Sequence, residues 1–361
     1  MAARFRVALA AVVLALASCV SLASAQPPED RPLEAQGAPP SIFRLGPEVS
    51  SVDAQALENG ALEAGRRAYE LSDYEKAVKI LQDAAAKNPR NGEVLLLLAK
   101  SHFELRQYDA AVANAERAVA VAPENSVYHE WLGRSLGEKA SKSSWFSALS
   151  LARKAQQEFE VAVRLNQKNY SAFQALIEFD CAAPGIAGGG EDKALPKIEQ
   201  LAALDEAEGH YAAGNCRRQK KDYFVADAEF DKALLTAKSP DLIFDIGDYA
   251  MKRNQPGRLL AVVDAGQKAS PTDVRAKFYR AAALILQKQK PDEAESLLRE
   301  YLNTAPRRTG YPRPALAHDW LGRLFENQND RDAAAREYAT SLHVDPKDKT
   351  AQEALRRLGK A

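Results

Sequence analysis

The chain has 361 residues, in which 49 Lys and Arg side chains balance 49 Asp and Glu side chains. This neutral balance lacks the basic excess that is typical of nucleic-acid-binding domains, so we expect no nucleic-acid partner. A hydrophobic share of 46% is ordinary for a folded protein and excludes a largely disordered chain.

The first 25 residues have the pattern of a signal peptide. Arg4 and Arg6 precede a continuous apolar run, Val7–Ala17, and Ala23–Ala25 forms a small-x-small cleavage site. The run is shorter than the roughly 20 residues that a membrane span needs. We therefore predict residues 1–25 as a signal peptide that is cleaved after Ala25, with export to the periplasm of a bacterial cell.

A second interpretation of the same segment stays open. Leu16–Cys19 resembles the lipobox of bacterial lipoproteins, in which the cysteine is lipidated and becomes the new N-terminus. Lipidated Cys19 would tie the chain to the outer membrane, and we expect no other membrane contact. Residues 26–50 follow with six prolines and little apolar periodicity, so we predict a disordered tether in either case.

A frame of small residues and a proline recurs in the rest of the chain. The same spacing appears three times, in Gly65–Ala77–Ala84–Pro89, Ala99–Ala111–Ala118–Pro123 and Gly322–Ala334–Ser341–Pro346. A period of about 34 residues is typical of an array of helical hairpins. The small residues allow two antiparallel helices to approach closely, and the proline ends the second helix.

The pattern resembles the tetratricopeptide repeat, with matches at Trp131–Gly133, at Trp320–Phe325 and at Ala226–Phe230 with Ala233. The resemblance implies an all-α fold, a right-handed superhelical solenoid whose first helices line a concave face. We predict a solenoid over residues 51–361, with about eight repeats and a capping helix at 350–360. The predicted repeats span 58–91, 92–125, 126–169, 170–206, 207–239, 240–273, 275–308 and 315–348.

A second resemblance concerns the third and fourth repeats. The segments Gly137–Ala140, Phe159–Val163, Ala183–Ile186 and Gly188–Gly190 resemble a group of exported bacterial tetratricopeptide proteins. No established biochemical role is attached to that group, so this likeness bears on fold and location only.

Basic side chains recur on the first helices of the first three repeats. Arg66, Lys100 and Arg134 each follow the small residue of the helix crossing, and Tyr69 and Phe103 lie three residues further on. Such a stripe would suit an acidic or C-terminal peptide. The alternative is a solvated face, because Glu70, Glu104 and Glu138 each lie four residues after a basic residue and could pair with it.

Two insertions break the period, and we predict that they form a rim beside this stripe. Ser141–Leu151 lengthens the third repeat and carries Trp145 and Phe146. The second insertion, Pro184–Gly190, lies in the fourth repeat, and its first three residues, Pro184, Gly185 and Ile186, are candidate binding residues. Insertions that leave one face of a solenoid often mark a binding face. The alternative is that the aromatic pair fills the end of a lengthened hairpin.

Cysteine and histidine offer little chemistry. Cys181 and Cys216 lie on the first helices of adjacent repeats, where they form either a disulfide or two separate buried thiols. Four of the five histidines fall at packing positions of the repeat, without the spacing of a zinc site. We expect no catalytic residue, no metal and no cofactor.

The sequence therefore predicts a non-catalytic scaffold of the bacterial cell envelope that binds a partner protein or peptide on its concave face. Two alternatives remain. The first is an envelope protein that binds glycan or peptidoglycan fragments, with Trp145, Phe146 and Tyr311 as stacking residues. The second is an enzyme built on a helical-repeat frame.

Overall fold

The computed structural model describes the backbone of residues 51–359 and the side chains of residues 59–359. The predicted signal peptide, Cys19 and the tether lie outside the described residues. Within residues 51–359 the chain forms 17 α-helices, one short 3-10 turn at Gly185–Ala187 and no strand. The all-α prediction is confirmed, and the helices stack as a repeat solenoid.

The helices follow one another in short hairpins, and the last helix closes the array. Their bounds are α1 Ser51–Glu70, α2 Tyr74–Lys87, α3 Gly92–Glu104, α4 Tyr108–Val121, α5 Ser126–Lys142, α6 Trp145–Leu165, α7 Tyr170–Ala182, α8 Glu191–Leu204, α9 Glu206–Gln219, α10 Tyr223–Thr236, α11 Pro240–Lys252, α12 Pro256–Ala269, α13 Arg275–Gln287, α14 Pro291–Thr304, α15 Pro314–Asn327, α16 Arg331–Val344 and α17 Lys349–Leu358.

Glycine allows the two helices of a hairpin to approach closely. A Cβ atom placed on Gly65 would lie 2.5 Å from Leu81 Cδ2, and one on Gly322 would lie 2.6 Å from the ring of Tyr338. Both distances are shorter than any real carbon contact, so a larger residue would force the helices apart. The close crossings expected at these positions are present.

The turn inside a hairpin uses the same backbone device in several repeats. One residue with a positive φ reverses the chain, and an aspartate that caps the second helix follows it in three hairpins. Asp73, Asp222 and Asp330 accept hydrogen bonds from Lys76 N, Val225 N and Ala333 N at 3.3, 3.3 and 2.9 Å. The reversing residues are Ser72, Arg106, Lys221, Asn254 and Asn329. Local turn chemistry therefore fixes where the second helix begins in these three hairpins.

The insertion in the third hairpin does not form a separate loop. It lengthens α5 to 17 residues and α6 to 21, whereas α3 and α4 have 13 and 14. Only Ser143 and Ser144 separate α5 from α6. The hairpin therefore projects beyond its neighbours, because helical periodicity continues through the inserted residues.

The second insertion packs against this projection. Arg153 Nη2 donates to the carbonyl of Ile186 at 2.9 Å, and Gln156 Nε2 donates to the carbonyl of Gly188 at 3.0 Å. A small apolar core joins the two insertions and consists of Ala140, Ala152, Phe179, Ala183 and Ala187. The lengthened hairpin and the Pro184–Gly190 loop thus form one structural unit on an edge of the solenoid.

Candidate functional site

The basic residues of the first hairpins meet around a tryptophan that the sequence had indicated only as a fold marker. Lys100 Nζ lies 4.8 Å from the centre of the Trp131 ring, and the Arg134 guanidinium lies 5.9 Å from it. Phe103 packs edge-on against the same ring, with 5.6 Å between ring centres. We call Arg66, Lys100, Phe103, Trp131 and Arg134 the basic face.

Two of the three cations on the basic face are already paired. Arg134 is buried, and it donates from Nε to Glu130 Oε1 at 2.9 Å and from Nη2 to Ser171 Oγ at 3.0 Å. Arg66 lies 3.3 Å from Glu63 and 3.4 Å from Glu93. Arg134 thus bonds a carboxylate four residues earlier, whereas Glu138, the expected partner, accepts a hydrogen bond from Tyr108.

Lys100 differs from its neighbours because it makes no ion pair among the described residues. Burial lowers the pKa of its amine, the nearby Arg134 and Arg66 lower it further, and Glu130 opposes the shift. A negative charge placed beside such a half-buried amine stabilises its charged form. Lys100 is therefore the residue on this face best placed to bind an anionic group.

Tyr69 does not present an exposed ring on the basic face, although its position in the repeat predicts one. Its side chain is buried in the first hairpin, where its ring centre lies 5.5 Å from that of Tyr74. Burial, together with the charge of Glu104, raises the pKa of its hydroxyl. Tyr69 thus belongs to the core and presents no exposed ring to a ligand.

The rim residues divide into exposed and packed side chains. Phe146 is 85% exposed and Ile186 is 56% exposed, which is unusual for large apolar residues. Trp145 and Pro184 are half-buried, and Gly185 is exposed. Phe146 lies two helical turns before Arg153 on α6, so it shares the helix face that contacts the Ile186 loop. Phe146 fills no core, in contrast to the alternative considered for the aromatic pair.

In the fourth to sixth hairpins, the residue that follows the helix crossing is no longer basic. The residue that follows the crossing is Glu178 in the fourth hairpin, Asn215 in the fifth and Asp248 in the sixth. Asp248 accepts a hydrogen bond from Tyr279 at 2.8 Å, and burial raises the pKa of its carboxyl, helped by nearby Asp245. The register that identifies Arg66, Lys100 and Arg134 also identifies Glu178 and Asp248, which we call the acidic stretch, with the neutral Asn215 between them.

Cys181 and Cys216 are joined in the structure. Their sulfur atoms are 2.01 Å apart and their Cα atoms 5.5 Å apart, so a disulfide links α7 to α9. Of the two interpretations left open by the sequence, the structure adopts the bridge. It ties together the first helices of the fourth and fifth hairpins, next to the Pro184–Gly190 loop.

The histidines at the recurring position bond to glutamates of the second helices. His129, His210 and His318 lie 2.6, 2.7 and 2.7 Å from Glu158, Glu229 and Glu337. Among residues 59–359 no group of three His, Cys, Asp or Glu side chains is arranged to hold a metal ion. None of the 17 helices described is both long and apolar enough to cross a membrane.

Comparison with known proteins bears on the repeat. The family model described as "Tetratricopeptide repeat" matches residues 68–134. A thermophilic tetratricopeptide protein of Thermus thermophilus is similar at 19% identity, covering 63% of this chain and 99% of that one, with a TM-score of 0.42. A tetratricopeptide protein of Parabacteroides merdae is similar at 12% identity, covering 84% and 98%, with a TM-score of 0.39. No curated protein matches the sequence.

Proposed function

We propose that this chain, in which residues 68–134 match the tetratricopeptide-repeat model, is a non-catalytic scaffold that binds an acidic segment of a partner protein on the basic face. Proteins with such repeats generally mediate contacts between proteins, through the extended surface that a solenoid offers. The observation that carries the proposal is Lys100, which is half-buried over Trp131 and has no ion pair in the described chain.

The chemistry of the basic face supports an acidic ligand. A carboxylate beside Lys100 would gain charge-assisted hydrogen bonding in a partly desolvated place, where such bonds are stronger than in water. Half-buried Phe103 lies next to it and packs edge-on against the buried Trp131 ring. Aromatic side chains such as Phe103 are enriched at protein interfaces.

The acidic stretch further along the first helices supports a site of limited length. An acidic segment that extended from Lys100 towards Glu178 and Asp248 would meet like charge. Repulsion of this kind costs free energy and fixes the register of a bound peptide. The proposal therefore confines the acidic part of the ligand to the first three hairpins.

Of the three residues considered for stacking on a glycan, Tyr311 is the one that the structure supports least. Tyr311 lies 4.7 Å from the Arg275 guanidinium and 4.8 Å from that of Arg308. A ring that already contacts two guanidinium groups has less free face on which to stack a sugar. Trp145 and Phe146 keep this alternative open as an outcome of the test.

A binding experiment with defined peptides tests the proposal. Three short fluorescent peptides that alternate Ala with Glu, Lys or Gln are titrated against the full mature chain. We expect the Glu peptide alone to bind, and Lys100→Glu to weaken it about tenfold or more, which corresponds to about 1.4 kcal/mol. Equal binding of all three peptides would overturn the proposal.

A matched control separates a local site from general charge. Lys79 is an exposed lysine on α2, a second helix, so Lys79→Glu makes the same change of net charge away from the basic face. The proposal requires Lys79→Glu to leave the affinity for the Glu peptide near that of the wild type. If both variants weaken binding equally, the attraction is diffuse and the basic face is not the site.

The cellular location belongs to the same proposal. The sequence pattern of residues 1–25 supports export to the cell envelope, either as a soluble protein that begins at Gln26 or as a lipoprotein that begins at Cys19. N-terminal sequencing of envelope material distinguishes the two forms. Recovery of the chain from the cytoplasm with Met1 in place would refute both.

A further inference from the structure

A cavity lies between the turn that joins α3 to α4 and the projecting end of α5. Its volume is about 550 Å³, and it is lined by residues 106–110 on one side and by Lys139, Lys142 and Ser143 on the other. The second wall exists because α5 continues to Lys142. A first helix of 13 residues, such as α3, would end before that wall. The cavity is therefore a product of the insertion in the third hairpin.

Three cations line the cavity, and one of them is paired. Lys139 Nζ lies 2.7 Å from Asp109 Oδ1, whose side chain is 89% exposed. Arg106 and Lys142 make no ion pair among the described residues, and both are exposed at the cavity. Cations held near each other without counter-charge raise the local concentration of anions.

A buried carboxyl group behind the cavity wall has a free oxygen. Glu138 is 5% exposed, its Oε1 has no hydrogen-bond partner, and it accepts a hydrogen bond from the cavity residue Tyr108. Burial raises the pKa of this carboxyl to about 7, although Tyr108, Lys142 and Arg106 lower it. Because burial favours the uncharged form of Glu138, this carboxyl neutralises Arg106 and Lys142 less than an exposed carboxylate would.

We propose that this cavity is a binding site for a phosphate monoester group, held by Arg106 and Lys142 with Ser143 as a neutral donor. Two unpaired cations match the charge of a dianion better than that of a single carboxylate. The planar fork of arginine fits two phosphate oxygens at once. The volume lies within the range of about 300–1,000 Å³ that small-molecule sites occupy.

The same phosphate chemistry has two sources, a free phosphorylated metabolite and a phosphorylated side chain of a protein. The cavity begins six residues after Lys100 in the chain, and the rings of Phe103 and Tyr108 are 5.8 Å apart. It is thus adjacent to the basic face, although its existence does not depend on the function proposed for that face. Titration with phenyl phosphate and with a short phosphoserine peptide distinguishes the two sources.

The test uses isothermal titration of the full mature chain at low salt, with phenyl phosphate as probe and benzoate as its singly charged control. We expect phenyl phosphate to bind and the double variant Arg106→Gln/Lys142→Gln to lose at least about tenfold in affinity. Lys154→Gln, an exposed change on α6, should have no such effect. Circular dichroism checks that each variant remains folded.

Several results would overturn the proposal. These are a failure of the wild type to bind phenyl phosphate, benzoate binding as tightly as phenyl phosphate, or equal weakening by Lys154→Gln. Glu138→Gln provides a further check, because it removes a negative charge that competes for Arg106 and Lys142. The proposal requires this variant to bind phenyl phosphate at least as tightly as the wild type, and weaker binding would contradict it.

Discussion

The helix crossing in the third hairpin gives the sharpest test of the packing. A Cβ atom on Gly133 would lie 2.7 Å from Phe159 Cε1 and 3.1 Å from the carbonyl oxygen of Ala155. Carbon atoms in favourable contact are about 3.5–4.0 Å apart, so the α5 backbone or the Phe159 ring must move by about 1 Å. The ring is fully buried and the carbonyl belongs to α6, so neither can yield easily.

The expected effect follows from two opposing terms. Overpacking of this kind costs about 1–3 kcal/mol, whereas replacing glycine by alanine within a helix gains about 1 kcal/mol. We therefore expect Gly133→Ala to change the free energy of unfolding by about 0 to 2 kcal/mol in the destabilising direction. Gly133→Leu should cost more, because its side chain extends further into Phe159.

Gly60→Ala is the matched control, measured by urea unfolding followed by circular dichroism. A Cβ atom at Gly60, also within a helix, would meet nothing within 4 Å. That variant should gain about 0.5–1 kcal/mol from the helix preference alone. If Gly133→Ala stabilised the chain as much as Gly60→Ala, the close crossing at Gly133 would be refuted.

Three further results are expected. Burial raises the pKa values of Glu138 and Asp319 to about 7. A carboxyl whose pKa is higher in the folded state stabilises that state while it is protonated. The stabilisation from these two groups is therefore fully present below about pH 4 and is lost as the pH rises through about 7. Urea unfolding between about pH 5 and 8 should show it, and an unchanged slope in Glu138→Gln/Asp319→Asn would contradict the assignment. Cys181 and Cys216 are separated by 35 residues, so Cys181→Ser/Cys216→Ser should lose about 2–4 kcal/mol, and equal unfolding midpoints for the oxidised and reduced wild type would argue against the bridge. Phe146→Ala should change stability by less than about 0.5 kcal/mol, because the ring fills no core; a larger loss would show that Phe146 packs in solution.

Much of the fold could be predicted because the repeat imposes the same packing problem many times. Gly65 and Gly322 are recognisable from sequence since their helices must cross without a side chain between them. The extent of α5 was harder to predict. Serine-rich residues 141–144 suggest a loop, whereas in the structure α5 continues to Lys142 and α6 begins at Trp145. The hydrogen bonds from Arg153 and Gln156 of α6 to the Pro184–Gly190 loop join residues 33 and 32 positions apart, so no local pattern reports them.

The basic face was predictable only in part. The recurrence of Arg66, Lys100 and Arg134 at one register predicts one surface, and Lys100 and Arg134 are found together around Trp131. Which of these cations forms an ion pair was not predictable, because the pairing depends on contacts between hairpins. Arg134 donates hydrogen bonds to Glu130 and to Ser171 of the next hairpin. Lys100 is then the cation of the basic face that makes no ion pair in the described chain.

The departures from the repeat are where a function specific to this chain is best sought. Most buried residues that obey the period pack against neighbouring hairpins, so stability explains their identity. The inserted residues do not follow the period and are not subject to this packing constraint. Phe146 and Ile186 are large, apolar and exposed to water, and Lys142 makes no ion pair in the described part of the chain. Since packing does not account for these side chains, they are candidates for contact with a ligand in addition to Lys100.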